Sequence, residues 1–112
     1  MKLLIIFNKD IEVSPEKVCI HVEHSNRAII ETLYVNNEDL TRINWVNNHY
    51  KNVLLRDKIT LNLISKIVNY CNYVIYDAGL DGTFEPNTIL GYAVLVPKDD
   101  ETFKRLRTLK FN

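Results

Sequence analysis

At 112 residues the chain has room for one domain spanning residues 1–112 and not for two, and it can build one core without disulfides or metal. Its 14 basic and 14 acidic residues cancel, which argues against a strongly electropositive nucleic-acid binder and leaves a local basic patch open. No stretch approaches the roughly 18 uninterrupted apolar residues that span a bilayer, so no membrane partner is expected.

Met1 to Phe7 begins like a secretory leader, but the apolar run is short and Asn8-Lys9-Asp10 stands where a small-residue cleavage site would be. Residues 3–7 read instead as a strand covered on both faces. Asp10 to Val13 is a connection. Ser14 then offers a helix cap and Pro15 suits the first helical position, where its missing N–H would be unpaired anyway. A helix to about Tyr34 is predicted, with Val18, Val22, Ser25, Ile29 and Leu33 on one stripe. Asn36 to Glu38 makes a turn, and Leu40, Ile43, Trp45 and Val46 suggest a short second helix that ends at Asn47 to Tyr50. Val53-Leu54-Leu55 is a second strand. Asp57 is a candidate cap for a third helix carrying Ile59, Leu61, Leu63, Ile64, Ile67 and Val68, closed by Asn69 to Asn72. Tyr73 to Tyr76 is a third strand and Ile89 to Val96 a fourth. Residues 99–107 suit a last short helix.

Strands joined through helices are expected to be parallel with right-handed crossovers, while the loop before the fourth strand allows that strand to be antiparallel. The expected fold class is α/β: a mixed four-stranded sheet with helices on both faces, a three-layer α/β/α arrangement. Cys19 and Cys71 lie far apart and lack metal-type spacing. They read as reduced core thiols, which points to a cytoplasmic protein.

Two places can carry chemistry. Lys17, His21, His24 and Ala28 are spaced four, three and four, so they share a second helix stripe at the edge of the apolar one, where side chains line clefts or merely mark a boundary. His21 and His24 without a third ligand make a weak zinc site, so no metal is expected. The second place is Asp77-Ala78-Gly79. An acidic residue leaving the carboxyl end of a strand, followed by Gly, is where open α/β sheets place ligands. The same turn is equally explained by Asp77 accepting backbone N–H groups. The polar stretch from Leu80 to Thr88 is longer than a hairpin needs and suits a substrate-facing loop. On pattern alone its Asp81 and Glu85 read as solvated loop residues.

These residues fall in an order that resembles the type two peptidyl-tRNA hydrolases, the archaeal and eukaryotic type. Lys2 to Phe7 with Asp10 resembles the family's first strand and the Asp after it. Glu16 to Ser25 resembles its G-K-I-A-A-Q-x-x-H-A helix start. Trp45 followed by Lys51 to Arg56 resembles W-x-x-x-G-Q-x-K-V-V-V-K. Tyr73 to Leu80 resembles T-x-L-I-x-D-A-G-x, Thr88 to Ala93 resembles T-V-L-G-I-G, and Leu109-Lys110-Phe111 resembles the closing L-K-L. The D-A-G turn followed by T-x-L-G is the most specific of these matches. The resemblance implies a mixed four-stranded sheet flanked by helices. It also implies cleavage of the ester between a peptide and the 3′ end of tRNA, with no cofactor and with tRNA as partner. It assigns catalytic roles to Lys17, His24, Asp77 and Thr88 and places His21, Asp81, Thr83 and Gly79 around the substrate.

The departures cluster at the same site. Ser14-Pro15-Glu16 replaces the start of the family's G-K-G-K signature, Cys19-Ile20-His21 replaces A-A-Q, Asp81 replaces a Thr, and Ala93-Val94 replaces G-P. An acidic residue at 81 repels phosphate. Two functions therefore follow: an active peptidyl-tRNA or related ester hydrolase, and a relative with altered or lost activity that acts as a binding or regulatory module. A small sheet with an exposed edge, and a surface carrying Ile20 and tyrosines, also suit a homodimer.

Overall fold

The computed structural model describes residues 2–35 and 52–96. In chain order the elements are β1 (Lys2–Asn8), α1 (Pro15–Val35), β2 (Asn52–Asp57), α2 (Leu61–Ile67), β3 (Asn72–Asp77) and β4 (Thr88–Val96). The helix expected around Leu40 to Val46, the one expected at 99–107, and the Trp45 and Leu109 to Phe111 matches lie outside the described residues.

The four strands form one mixed sheet in the order β2-β1-β4-β3. β1 and β2, joined through a crossover that includes α1, are parallel, with Leu3 opposite Asn52 and Asn8 opposite Asp57. β4 runs antiparallel to both β1 and β3. The long apolar runs take the central places: Leu3 to Phe7 and Leu90 to Val96 are buried throughout. This is an α/β fold.

Alternation along β1 divides the core between the two faces of the sheet. Leu3, Ile5 and Phe7 cluster with Val18, Ile29 and Leu33 of α1, and with Ile75, Leu90, Ala93 and Leu95. Leu4 and Ile6 cluster with Leu55, with Leu63 and Ile67 of α2, and with Tyr92, Val94 and Val96. The helix stripe expected on α1 is the one that packs. Its polar member, Ser25, is fully buried and donates its hydroxyl to the His21 carbonyl at 2.6 Å. Ser14 caps α1 as expected, its Oγ accepting the Lys17 N–H at 3.3 Å.

Three expectations need correction. The cap of α2 is Thr60, whose hydroxyl accepts the Leu63 N–H at 3.2 Å. Asp57 is instead the last residue of β2, where its carbonyl accepts the Lys9 N–H and its side chain accepts the Lys58 N–H. Leu61 and Val68 are exposed rather than part of the α2 stripe. Leu61 sits two residues before Leu63, which rotates it about 200° from the buried face. Cys19 is exposed rather than a core thiol, whereas Cys71 is half-buried and packs against the core, and no disulfide joins them. Cys19 follows buried Val18 by one residue, and about 100° of rotation carries it off the packed face.

β4 carries a bulge near the end that faces the loop. Ile75 pairs with Gly91 and Tyr76 with Ile89, so Leu90 is the extra residue and turns into the core. Gly91 crosses β1 so closely that a Cβ there would collide with the Ile6 carbonyl oxygen. Gly91→Ala is therefore expected to lower the unfolding free energy by about 3 kcal/mol or more, whereas exposed Cys19→Ser changes it by less than about 0.5 kcal/mol. Urea denaturation followed by circular dichroism measures both.

Candidate functional site

The site forms where the first turns of α1 meet the carboxyl end of β3. Lys17 sits three residues after the Ser14 cap, and the four-three spacing places His21 and His24 above it on the same face of the helix. α1 packs against β3 and β4, which brings this stripe over Asp77.

Asp77 is buried although it is charged. Its Oδ1 accepts the Gly79 N–H at 2.8 Å and its Oδ2 accepts the Lys17 Nζ at 2.6 Å. The same Oδ2 lies 3.5 Å from the His21 Nε2. The backbone carbonyl of Asp77 accepts the Asn87 N–H at 2.7 Å, which closes the base of the loop. Gly79 has φ +76°, and a Cβ on it would lie 2.8 Å from the Pro86 nitrogen, so this position needs glycine on two counts. Asp77 thus makes the local N–H bond expected of the turn, and its carboxylate also faces the helix stripe.

Lys17 is held from three sides. Besides Asp77, the Asp81 Oδ2 lies 2.9 Å from its Nζ, and the ammonium stands 5.4 Å from the centre of the Phe84 ring. Asp81 is therefore more than the solvated loop residue its sequence context suggests, although its side chain remains half exposed. Its Oδ1 accepts the Thr83 N–H at 3.0 Å.

The charges follow from these contacts. The Lys17 hydrogen bond, followed by the Gly79 N–H, holds the Asp77 carboxyl below the usual carboxylate range. Its bonds to Asp77 and then Asp81 raise Lys17 above an ordinary lysine. The Thr83 N–H, then Lys17, pulls Asp81 down to about 2. Burial lowers His21 despite the opposing pull of Asp77, so its imidazole is neutral at neutral pH. Burial also raises the Tyr73 phenol.

An open pocket of about 340 Å³ is lined by Lys17, His21, His24, Asp77 and Asp81, with apolar walls from Ile20, Tyr73, Tyr76 and Leu80. It thus gathers Lys17, His24 and Asp77 of the proposed catalytic set and His21 and Asp81 of the substrate set. Thr88 does not line it. Thr88 pairs with Asp77 across β3 and β4, and its hydroxyl donates to the Glu85 carbonyl at 2.7 Å. Gly79 and Thr83 shape the loop rather than the pocket wall. Sequence pattern does not reveal Phe84, a lone aromatic in a polar loop, or the wall tyrosines, because the strand pattern conceals that β3 lies at an edge of the described sheet. Among the described residues, no group of three or more His, Cys, Asp or Glu side chains is placed to hold a metal ion. No helix among them is long and apolar enough to cross a membrane.

The ion pair makes stability pH-dependent at both ends of the scale. The folded pKa of Asp77 is depressed, so its contribution is present above the unfolded value near 3.8 and is lost as pH falls through the lower folded value. The folded pKa of Lys17 is raised, so its contribution is present below 10.5 and is lost as pH rises through the higher folded value. The denaturation midpoint of the wild type is expected to fall more steeply than that of Asp77→Asn below about pH 4. Urea titrations at a series of pH values check this.

No protein-family model matches this chain, and no curated protein matches it.

Proposed function

We propose that this protein hydrolyses the ester joining a peptide to the 3′ end of tRNA, in the manner of the type two peptidyl-tRNA hydrolases that its sequence resembles. The observation that carries the proposal is the 2.6 Å pair between Lys17 and Asp77, facing an open pocket. These are two of the residues that the resemblance singles out, and they are 60 positions apart in sequence.

The chemistry asked of them is modest. An acyl ester of a ribose hydroxyl is intrinsically reactive, so positioning and charge stabilisation supply most of what is needed. In this reading the Lys17 ammonium stabilises the oxyanion that develops on the ester carbonyl. A water molecule attacks that carbon. The neutral His21 imidazole, steadied by Asp77, takes the proton from the water and passes it to the ribose oxygen as the ester C–O bond breaks. Ile20, Tyr73, Tyr76 and Leu80 supply apolar surface for the acyl group or the terminal base. His24 stands at the pocket wall beside His21, with ring centres 6.1 Å apart. Thr88 supports the loop through Glu85 in this scheme.

One observation favours the second reading, a binding module with altered activity. Asp81 takes up part of the Lys17 charge on which catalysis would draw. Release of peptide from peptidyl-tRNA by the purified protein separates the two. Lys17→Ala and Asp77→Asn are each expected to lower kcat/KM by about 100-fold or more. A wild-type protein that releases no peptide over a wide enzyme range leaves the module as the function.

A further inference from the structure

Of residues 78–87, which join β3 to β4, only Gly79 and Phe84 are not exposed. Glycine has no side chain to bury, so Phe84 is the residue that seats the loop: it packs against the core cluster shared by α1 and the sheet. The loop folds back on itself at the same point, with the Phe84 carbonyl oxygen 3.1 Å from the place a Gly79 Cβ would occupy. The Lys17 ammonium stands 5.4 Å from the centre of this ring, inside the roughly 6 Å over which the negative face of an aromatic ring attracts a cation. The lysine side chain is only 15% exposed, so little water screens the attraction.

The ring and the carboxylates act on Lys17 in different ways. An ammonium has three N–H donors, and Asp77 at 2.6 Å and Asp81 at 2.9 Å each engage it as acceptors. Each also offsets part of its charge. A ring face attracts the ammonium while remaining neutral, so it fixes the group and leaves its charge for a ligand. Fixing matters because a free lysine stem carries roughly 2 kcal/mol of rotamer entropy. Asp81 stands on the solvent side, its side chain 54% exposed. Asp77 and Phe84 hold the lysine from within the fold, one at the end of β3 and the other against the core.

We infer that Phe84 is a positioning residue: its ring, seated on the core, holds the Lys17 ammonium against Asp77 with one N–H left for the group that binds in the pocket. The effect on rate rests on the hydrolase reading, in which that group is the ester carbonyl; the effect on the lysine does not. Lys17 meets the oxyanion only as it develops, so loosening the ammonium acts on kcat rather than on KM.

Replacing Phe84 in the full chain by mono-, di- and trifluorinated phenylalanine drains the negative ring face step by step at nearly constant shape. Phe84→Leu keeps an apolar anchor and removes the face. Two readouts are followed. The first needs no turnover: exchange of the Lys17 ammonium protons with water, read by nuclear magnetic resonance. It is expected to quicken with each added fluorine, by about fivefold across the series, and further in Phe84→Leu. The second is kcat for peptidyl-tRNA, which is expected to fall by about fivefold over the same series with KM unchanged. The amide spectrum of each variant reports that it is folded. Exchange that stays flat across the fluorine series overturns the inference, and so does a flat kcat in an active protein. Loss confined to Phe84→Leu overturns it as well, because the ring would then only anchor the loop. A protein whose exchange follows the series but which releases no peptide keeps the placement of the lysine and loses the hydrolase reading. One that releases peptide while its exchange stays flat does the reverse.

Discussion

The bond between Lys17 and Asp77 ties together two parts of the chain that the sheet alone leaves apart: the first turn of α1 and the end of β3. A buried carboxylate needs partners, because removing it from water costs several kcal/mol that only close charges and donors offset. Asp77 has them in the Lys17 ammonium and the Gly79 N–H. Both partners depend on geometry fixed elsewhere. Lys17 is placed by the Ser14 cap, which sets where α1 begins, and Gly79 by a turn that no side chain could make.

The loop from Ala78 to Asn87 is built around the same bond. Its base is closed by the Asn87 N–H on the Asp77 carbonyl, and its path brings Asp81 and Phe84 back over Lys17. The loop therefore decides how much of the lysine's charge a ligand meets. The bulge at Leu90 contributes from below: by absorbing one residue in β4 it keeps Leu90 in the core while pairing Thr88 with Asp77. The site thus lies at the end of an edge strand, against the first turns of α1, with a polar loop beside it.

Much of this was legible in the residues. The central strands announce themselves as unbroken apolar runs, Leu3 to Phe7 and Ile89 to Val96, because a strand covered on both faces has no reason to alternate. The packed stripe of α1 and the flanking stripe of Lys17, His21 and His24 follow from helical spacing. Short elements were harder. In α2, Leu61 and Leu63 are equally apolar, and only the position of the Thr60 cap decides which faces the core. The role of Asp81 was not legible either, since an acidic residue in a loop is by composition alone a solvated one.

The sequence by itself determined the strands, the long capped helix and the two short stretches where chemistry is possible, because periodicity, caps and turn chemistry act over a few neighbouring residues. Only the tertiary structure decided that those stretches meet, that Asp81 and Phe84 join Lys17 there, and that Thr88 turns to Glu85. These are contacts between residues far apart in the chain or in a loop without periodicity, and their geometry comes from strand order and register rather than from local spacing.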